Sequence, residues 1–403
     1  MQGHIRKRTH RTKDGRTTVN WYVVIELERD ADGKRRQKWY GSYRTRKEAE
    51  AARIEILHEI NTGTFVEPTK TTLREWVHLT WLPLIADRVK PSTLDSYRRN
   101  LDLHVLPTLG QRQLRRLTPA MLNQLYAELL TTGNRKTGDG LSAKTVSYVH
   151  TIIHKALADA VDLGLVTTNI ADRAKPPRPK ARESKEIKSW TADELRRFLD
   201  LVKCHRLEAA WNVAAFTGMR RAEILGLRWR DLDLESGRLS VRQTLVSVGY
   251  KIVRSTPKTH QARTIDLDAG TVTRLRNHRV RQLQDRQQWG DDYEENDLVF
   301  CRENGSPLHP HTFSQAFERI VARSGLPKIP LHGLRHTHAT VGLAVGVPAK
   351  VVTERLGHEN VAFTLKQYAH VLPGMQAEAA KLIASAVIDP DDEEGPGSET
   401  LKP

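Results

Sequence analysis

The sequence predicts a multidomain, mainly α-helical chain with small β-sheets. Three observations carry that expectation. At 403 residues the chain is longer than one ordinary core organises. Strand-type alternation is confined to two stretches, one near the amino terminus and one from about Gly237 to Asp268. Between long regions of helical periodicity lies "DRAKPPRPKARESKEIKS", whose prolines and cations break every repeat.

Residues 1–67 read as an α+β module. "WYVVIELERDADGKRRQKWYGSY" sets a β-rich run, a DADG turn signal and an aromatic-rich run in succession, the pattern of a hairpin or small sheet. Thr45 to Glu48 has capping-box spacing, and Ala49, Ala52, Ile56, Leu57 and Ile60 give the helix that follows one apolar face. Residues 68–173 are helical throughout, with Ser92 as a cap, Thr118 and Pro119 as a start and Gly164 as a stop. A basic linker is expected over 174–189.

Residues 190–387 read as a third, mostly helical domain that opens on a second capping box, Thr191 to Glu194. Within it "RLSVRQTLVSV", "YKIVRS" and "ARTIDLD" alternate as strands. The acidic remainder, 388–403, has the composition of a disordered tail. No internal repeat is evident.

Charge narrows the choice of partner. Lys and Arg number 64 against 48 Asp and Glu, a net charge of +16, which favours a polyanion, with nucleic acid first. The arginine-crowded strands of the first module fit either a duplex-reading sheet or a solvated basic face. No apolar run is long enough to cross a bilayer and none follows the basic start, so neither a membrane nor a secretory route is expected, and the location read is cytoplasmic. Cys204 and Cys301 lack CxxC spacing, which argues against a disulfide framework or a zinc cage.

The third domain holds "FTGMRRAEILGLRWRDLD", "STPKTHQARTI", "LHGLRHTHAT", "RLGHEN" and "TLKQYAHV". Arg220, Lys258, His332, Arg335 and His358 are the residues suited to handling phosphate. Arginine offers a planar, always charged fork for two phosphate oxygens, so a pair of them can clamp a phosphodiester that gains charge. Histidine exchanges protons near neutral pH, and a lysine on a strand turn can protonate a leaving alkoxide. His332 and Arg335, three apart, share a helix face; Gly357 marks a turn expected to leave His358 exposed. Tyr368, alone, is a surface aromatic or a nucleophile. His332, His336 and His338 have metal-sharing spacing, but no nearby carboxylate or thiolate completes a shell, so no metal is expected. Trp211 and Trp229 fall in apolar helical patterns and read as core.

With these motifs in this order, the sequence resembles the tyrosine recombinase (phage-type integrase) family. The match rests on TGxRxxE at Thr217 to Glu223, Lys258, HxLR at His332 to Arg335, LGH at Leu356 to His358, and Tyr368. "KPSTLDSYRRNLDLHVLPTLGQRQLRRLTP" is similar to the family's core-type DNA-binding domain, and residues 1–67, more loosely, to its arm-type domain. Gly333 stands where many members have an acidic residue.

The resemblance implies a site-specific recombinase that integrates, and excises, a phage or other mobile element through a 3′-phosphotyrosyl bond. Tyr368 would be the nucleophile, Arg220 and Arg335 the clamp and Lys258 the general acid. His332 and His358 would add hydrogen bonds or proton exchange, and Glu223 would orient an arginine. Bond energy is stored, so no cofactor is implied. The implied partners are double-stranded attachment-site DNA, a homotetramer on that DNA, and a host bending factor or excisionase. Arg221 and Arg228 face DNA or solvent. The amphipathic "LPGMQAEAAKLIASAVI" packs on its own domain or on a neighbour.

Overall fold

The computed structural model describes residues 3–11, 17–27, 36–62, 70–134, 137–178, 188–257, 263–368, 380 and 383–387. The DADG turn, Lys258, most of the expected linker, the tail from 388 and most of the segment after Tyr368 lie outside them. The chain divides into two compact units, Met1–Arg182 and Glu183–Pro403.

In the first unit, β1 (Gly3–Arg11), β2 (Thr17–Leu27) and β3 (Arg36–Tyr43) form an antiparallel sheet in the order β1-β2-β3. β1 is one strand more than the sequence disclosed. Its only aliphatic side chain is Ile5, so it carries no alternation to read, yet it pairs along its whole length from Gly3↔Ile25 to Arg11↔Thr17. α1 (Arg46–Asn61) covers one face, packing Ala49, Ala52, Ile56, Leu57 and Ile60 with Val23, Ile25 and Tyr40. Only half of its predicted box forms: Thr45 accepts from the Glu48 amide, while Glu48 Oε2 accepts from Arg44 N–H. On β1, Arg8 lies 4.3 Å and Arg6 5.7 Å from the centroid of Trp39, so exposed cations are stacked on an aromatic.

A helical bundle completes this unit. Thr72 and Glu75 make a full capping box that starts a helical run through Leu73–Glu75, Trp76–Trp81 and Leu82–Ile85. The middle segment is π-helical. In an α-helix two residues five apart diverge by roughly 140°; the wider π turn brings Trp76 and Trp81 toward one side, where their indoles donate to Ala156 O at 3.0 Å and Asp159 Oδ2 at 2.6 Å. α2 (Pro91–His104), α3 (Pro119–Thr132) and α4 (Ala143–Asp162) follow. Thr118 caps α3, and Gly164, at φ +66°, follows the end of α4. Ser92 caps nothing. Pro91 already occupies the first helical position, which its fixed φ suits, so Lys90 is the boundary residue.

The second unit begins with Trp190 and α5 (Ala192–Leu201), whose Thr191/Glu194 capping box is complete. α6 (Glu208–Thr217) and α7 (Arg221–Leu225) precede the strands β4 (Leu232–Asp233), β5 (Arg238–Val241), β6 (Thr244–Val248), β7 (Lys251–Ser255) and β8 (Arg263–Asp266). These make a sheet β4-β5-β8 and a hairpin β6-β7. α8 (Ala269–Trp289), α9 (Pro310–Arg323), α10 (His332–Ala344), α11 (Ala349–Leu356) and α12 (Val361–Tyr368) complete it.

Its main core is aromatic at the centre, with Trp211 stacked on Phe313 at 4.5 Å and Phe198 beside Phe317 at 5.4 Å. Trp229 is half-buried against this core, donating to Gln282 and stacked under Arg279. A second, smaller core of Ala339, Leu343, Val352, Leu356 and Tyr368 holds α10, α11 and α12 together. Among the described residues no helix is long and apolar enough to cross a membrane.

Candidate active site

The sequence motifs converge because short elements carry them to one place. α6 ends on Gly218 in the left-handed conformation, φ +62°, where a Cβ would lie 2.6 Å from Leu356 and 2.8 Å from His338. That turn aims two groups. The Gly218 carbonyl accepts from Arg335 Nη1 at 2.8 Å, and two residues on, Arg220 begins α7.

Glu223 organises the arginines. It is 2% exposed and accepts from the Arg220 backbone N–H at 2.8 Å, from Arg220 Nη1 at 3.0 Å, and from Arg263 through a two-pronged pair at 3.1 and 2.7 Å. Burial alone would raise its carboxyl, but the bonds and charge of Arg263, with Arg220, hold it below the ordinary range. Arg263 also donates to Arg355 O at 3.0 Å, and Arg220 Nη2 to Gly357 O at 3.2 Å. One carboxylate therefore ties α7 to β8, and its two arginines tie both to the turn that carries His358.

Arg263 is not legible in the sequence. It opens a strand, and its carboxylate partner lies forty residues away, so no local spacing marks it. Arg263→Ala would leave Glu223 buried with one cation and is expected to cost roughly 3 kcal/mol or more, read as a lower unfolding midpoint. Arg263→Lys should restore little, because an ammonium cannot replace the fork. An unchanged midpoint would mean that the pair contributes nothing.

Arg335, on the inward face of α10, is 3% exposed; its Nη2 is buried and has no hydrogen-bond partner among the described residues. Burial and the charge of Arg220 push the guanidinium down to about 9, still charged at neutral pH. A buried donor on a charged guanidinium calls for an acceptor, and an anionic oxygen is the strongest one it can take. His332 opens α10 at the surface and meets His336 edge-on, ring centroids 4.9 Å apart. Gly333 sits so close to Ile329 that a Cβ would come within 2.9 Å, so this position takes a side chain only if Ile329 shifts.

His358 follows Gly357, a left-handed residue at φ +64° that ends α11. The turn is as expected, but the imidazole is half-buried rather than exposed: its Nδ1 lies 2.8 Å from Thr364 Oγ1, which in turn accepts from Thr353. Burial, then the charges of Arg335 and Arg220, lower its pKa to about 3.

Tyr368 is not a surface aromatic. It ends α12, is 0% exposed, and its hydroxyl lies 2.8 Å from His336 Nδ1. Burial pushes the phenol up to about 12 against the pull of Arg335. Thr364 and Tyr368, four apart on one face of α12, thus each bond a histidine of another element. Helical spacing could have found Thr364; it could not have named His358 as the partner.

Arg220 reaches the turn that carries His358 by donating to Gly357 O, Arg335 donates to the Gly218 carbonyl two residues before Arg220, and His336, the next residue after Arg335, meets the Tyr368 hydroxyl, so these residues form one site. Lys258 lies outside the described residues, between β7 and β8. Arg221 donates to Ser314 and Arg228 to Asp231, so the latter is held inside the domain. Among the described residues no group of three His, Cys, Asp or Glu could hold a metal ion; His338 instead bonds Ala215 O at 3.0 Å.

The histidines set an acid limit on stability. Burial, followed by the Arg355 charge, lowers His338 to about 4, against an unfolded value near 6.5. Below pH 6.5 the unfolded state therefore binds the proton and the folded state does not, so stability present above that pH is lost as pH falls toward 4. A displacement of this size is worth on the order of 3 kcal/mol. The unfolding midpoint should already fall between pH 7 and pH 5, and should fall less in His338→Gln. A midpoint constant over that interval would contradict the burial argument.

Comparison with known proteins adds three matches in chain order. Residues 7–60 match the Arm DNA-binding domain, 72–130 the phage integrase N-terminal SAM-like domain, and 188–374 the Phage integrase family. The chain is 29% identical over 395 residues, 94% of its length and 98% of the relative's, to a protein named "Tyrosine recombinase XerC-like" from Caldanaerobacter subterraneus subsp. tengcongensis. It is 25% identical over 294 residues, 72% of the chain and 77% of the relative, to the ICEBs1 integrase of Bacillus subtilis strain 168. In fold it is similar to the Tn1549 transposon integrase solved in complex with transposon right end DNA (TM-score 0.62, 20% identity, 78% of this chain and all of that one). It is also similar to a lambda integrase tetramer bound to a Holliday junction (TM-score 0.56, 19% identity, 86% of this chain and 92% of that one).

Proposed function

Because the chain is a site-specific tyrosine recombinase of mobile elements, carrying a phage integrase family domain, we propose that Tyr368 is its nucleophile and that Arg220 and Arg335 hold the scissile phosphate. The phenolic oxygen attacks phosphorus in line, forming the 3′-phosphotyrosyl bond while the bond to O5′ breaks. Lys258 gives the leaving oxygen its proton. The 5′-hydroxyl of a partner strand then reverses the sequence, so each broken bond is conserved in the protein until rejoining. Arg220 and Arg335 stabilise the equatorial oxygens, and His332 and His358 bond the same group.

The observation that carries this reading is the buried Nη2 of Arg335, without a partner among the described residues, on the residue that precedes His336, whose ring meets the Tyr368 hydroxyl at 2.8 Å. Trapping tests it. On a nicked duplex carrying the element's own core site, the cleaved end diffuses away and a covalent protein–DNA adduct should accumulate. Duplex bound without any adduct would leave a non-catalytic DNA-binding protein.

Around that centre we assign residues 1–67 to arm-type and 68–173 to core-type DNA binding, with catalysis in 190–387. The stacked Arg6 and Arg8 and the matched family models support the first two assignments. Double-stranded DNA is the partner. Assembly as four chains around two duplexes is supported by the tetrameric lambda integrase of similar fold. Direction would be set by a host bending factor or an excisionase, and the work is cytoplasmic.

A further inference from the structure

We propose that His336 is the base that takes the phenolic proton of Tyr368 during attack and returns it during rejoining, an inference that rests on Tyr368 being the nucleophile. The two side chains meet directly, with Nδ1 at 2.8 Å from the hydroxyl oxygen. Gln367 Nε2, a donor, approaches the same Nδ1 at 3.4 Å. Both contacts are satisfied together when Nδ1 carries the lone pair and the ring proton sits on Nε2, and this is the tautomer in which the Tyr368 hydroxyl donates to His336.

The surroundings keep it so. The groups facing His336 are His332 and Arg335 from α10, Tyr368 and Gln367 from α12, and His358 from the turn after α11. Burial, then the His332 and Arg335 charges, lower its pKa to about 4, so the imidazole is neutral before DNA arrives. A phosphodiester between the arginines brings negative charge into the site and offsets that repulsion, making the ring more basic when attack begins. His332, by contrast, meets His336 edge-on from the exposed end of the helix.

The step balances. The proton on Tyr368 Oη moves to Nδ1 as an oxygen lone pair forms the bond to phosphorus. The electron pair of the P–O5′ bond leaves with O5′, which is protonated by Lys258. In rejoining, the incoming 5′-hydroxyl displaces the tyrosyl oxygen, and the imidazolium returns its proton to it.

Single-turnover cleavage by the full chain tests this, using the nicked duplex with either a normal or a 5′-bridging phosphorothiolate scissile linkage. His336→Phe keeps the ring volume without an acceptor; His336→Gln keeps an acceptor that cannot become a cation at this pH. Both should lose about a hundredfold or more in rate with duplex affinity retained. The loss should persist on the phosphorothiolate, whose good leaving group bypasses only the acid. Their rates should also climb with pH as phenolate forms, and free imidazole should partly restore His336→Ala.

A rate within threefold of wild type in His336→Gln, faster cleavage in either variant, or a defect erased by the phosphorothiolate would overturn the assignment. Tyr368→Phe run in parallel separates the two failures. Adduct lost there, with His336→Gln at full speed, removes the base and leaves the nucleophile in place.

Discussion

Tyr368→Phe is expected to form no covalent adduct on the nicked duplex while binding the same DNA as tightly as the wild type. The substitution deletes one oxygen. Its ring stays in the small core with Ala339, Leu343, Val352 and Leu356, so α12 keeps its apolar seat. The bond to His336 is lost, which costs about 1 kcal/mol and leaves the domain folded. Chemistry has no substitute: among the described residues no second tyrosine hydroxyl contacts this group of histidines and arginines. A denaturing gel reads the result. An adduct that persists in the variant would place the nucleophile elsewhere in the chain.

Arg335→Lys should lower the cleavage rate by about a thousandfold with little change in duplex affinity. The native fork is divided: Nη1 donates to the Gly218 carbonyl, and Nη2, without a partner among the described residues, is the half proposed to meet a phosphate oxygen. A lysine ammonium is one point on a flexible stem and cannot occupy both positions. It would also be a lysine at a site 3% exposed, beside Arg220, where the uncharged amine is favoured. Single-turnover rates at saturating enzyme separate this from weaker binding. A variant within tenfold of wild type would show that the phosphate clamp does not depend on Arg335.

Much of this site was legible because its chemistry is carried by residues whose spacing is local. His332 and Arg335 lie three apart on a helix, and Gly357 imposes the turn before His358. Arg220 follows the Thr217–Gly218 stop of α6. The helices and the β-insertion followed from periodicity and capping, although β4 at Leu232–Asp233 starts before the predicted stretch and β1 carries no alternation to mark it. What stayed hidden was long-range. Arg263 is defined by a carboxylate in another element, and His336 by a hydroxyl on a helix two elements later. His336 and His338 share metal-type spacing, yet one ring faces the Tyr368 hydroxyl and the other a backbone carbonyl.

By itself the sequence determined which chemical groups the chain owns, the order in which short helices and turns present them, and the excess of positive charge that calls for a polyanion. Only the tertiary structure decided their environment. Tyr368 is buried, its hydroxyl is held by one imidazole, and Arg335 keeps a donor that no other described residue takes. The reason is physical. Spacing along a helix is set by local backbone geometry, whereas burial, and the proton affinities that follow from it, depend on side chains brought together from distant parts of the chain.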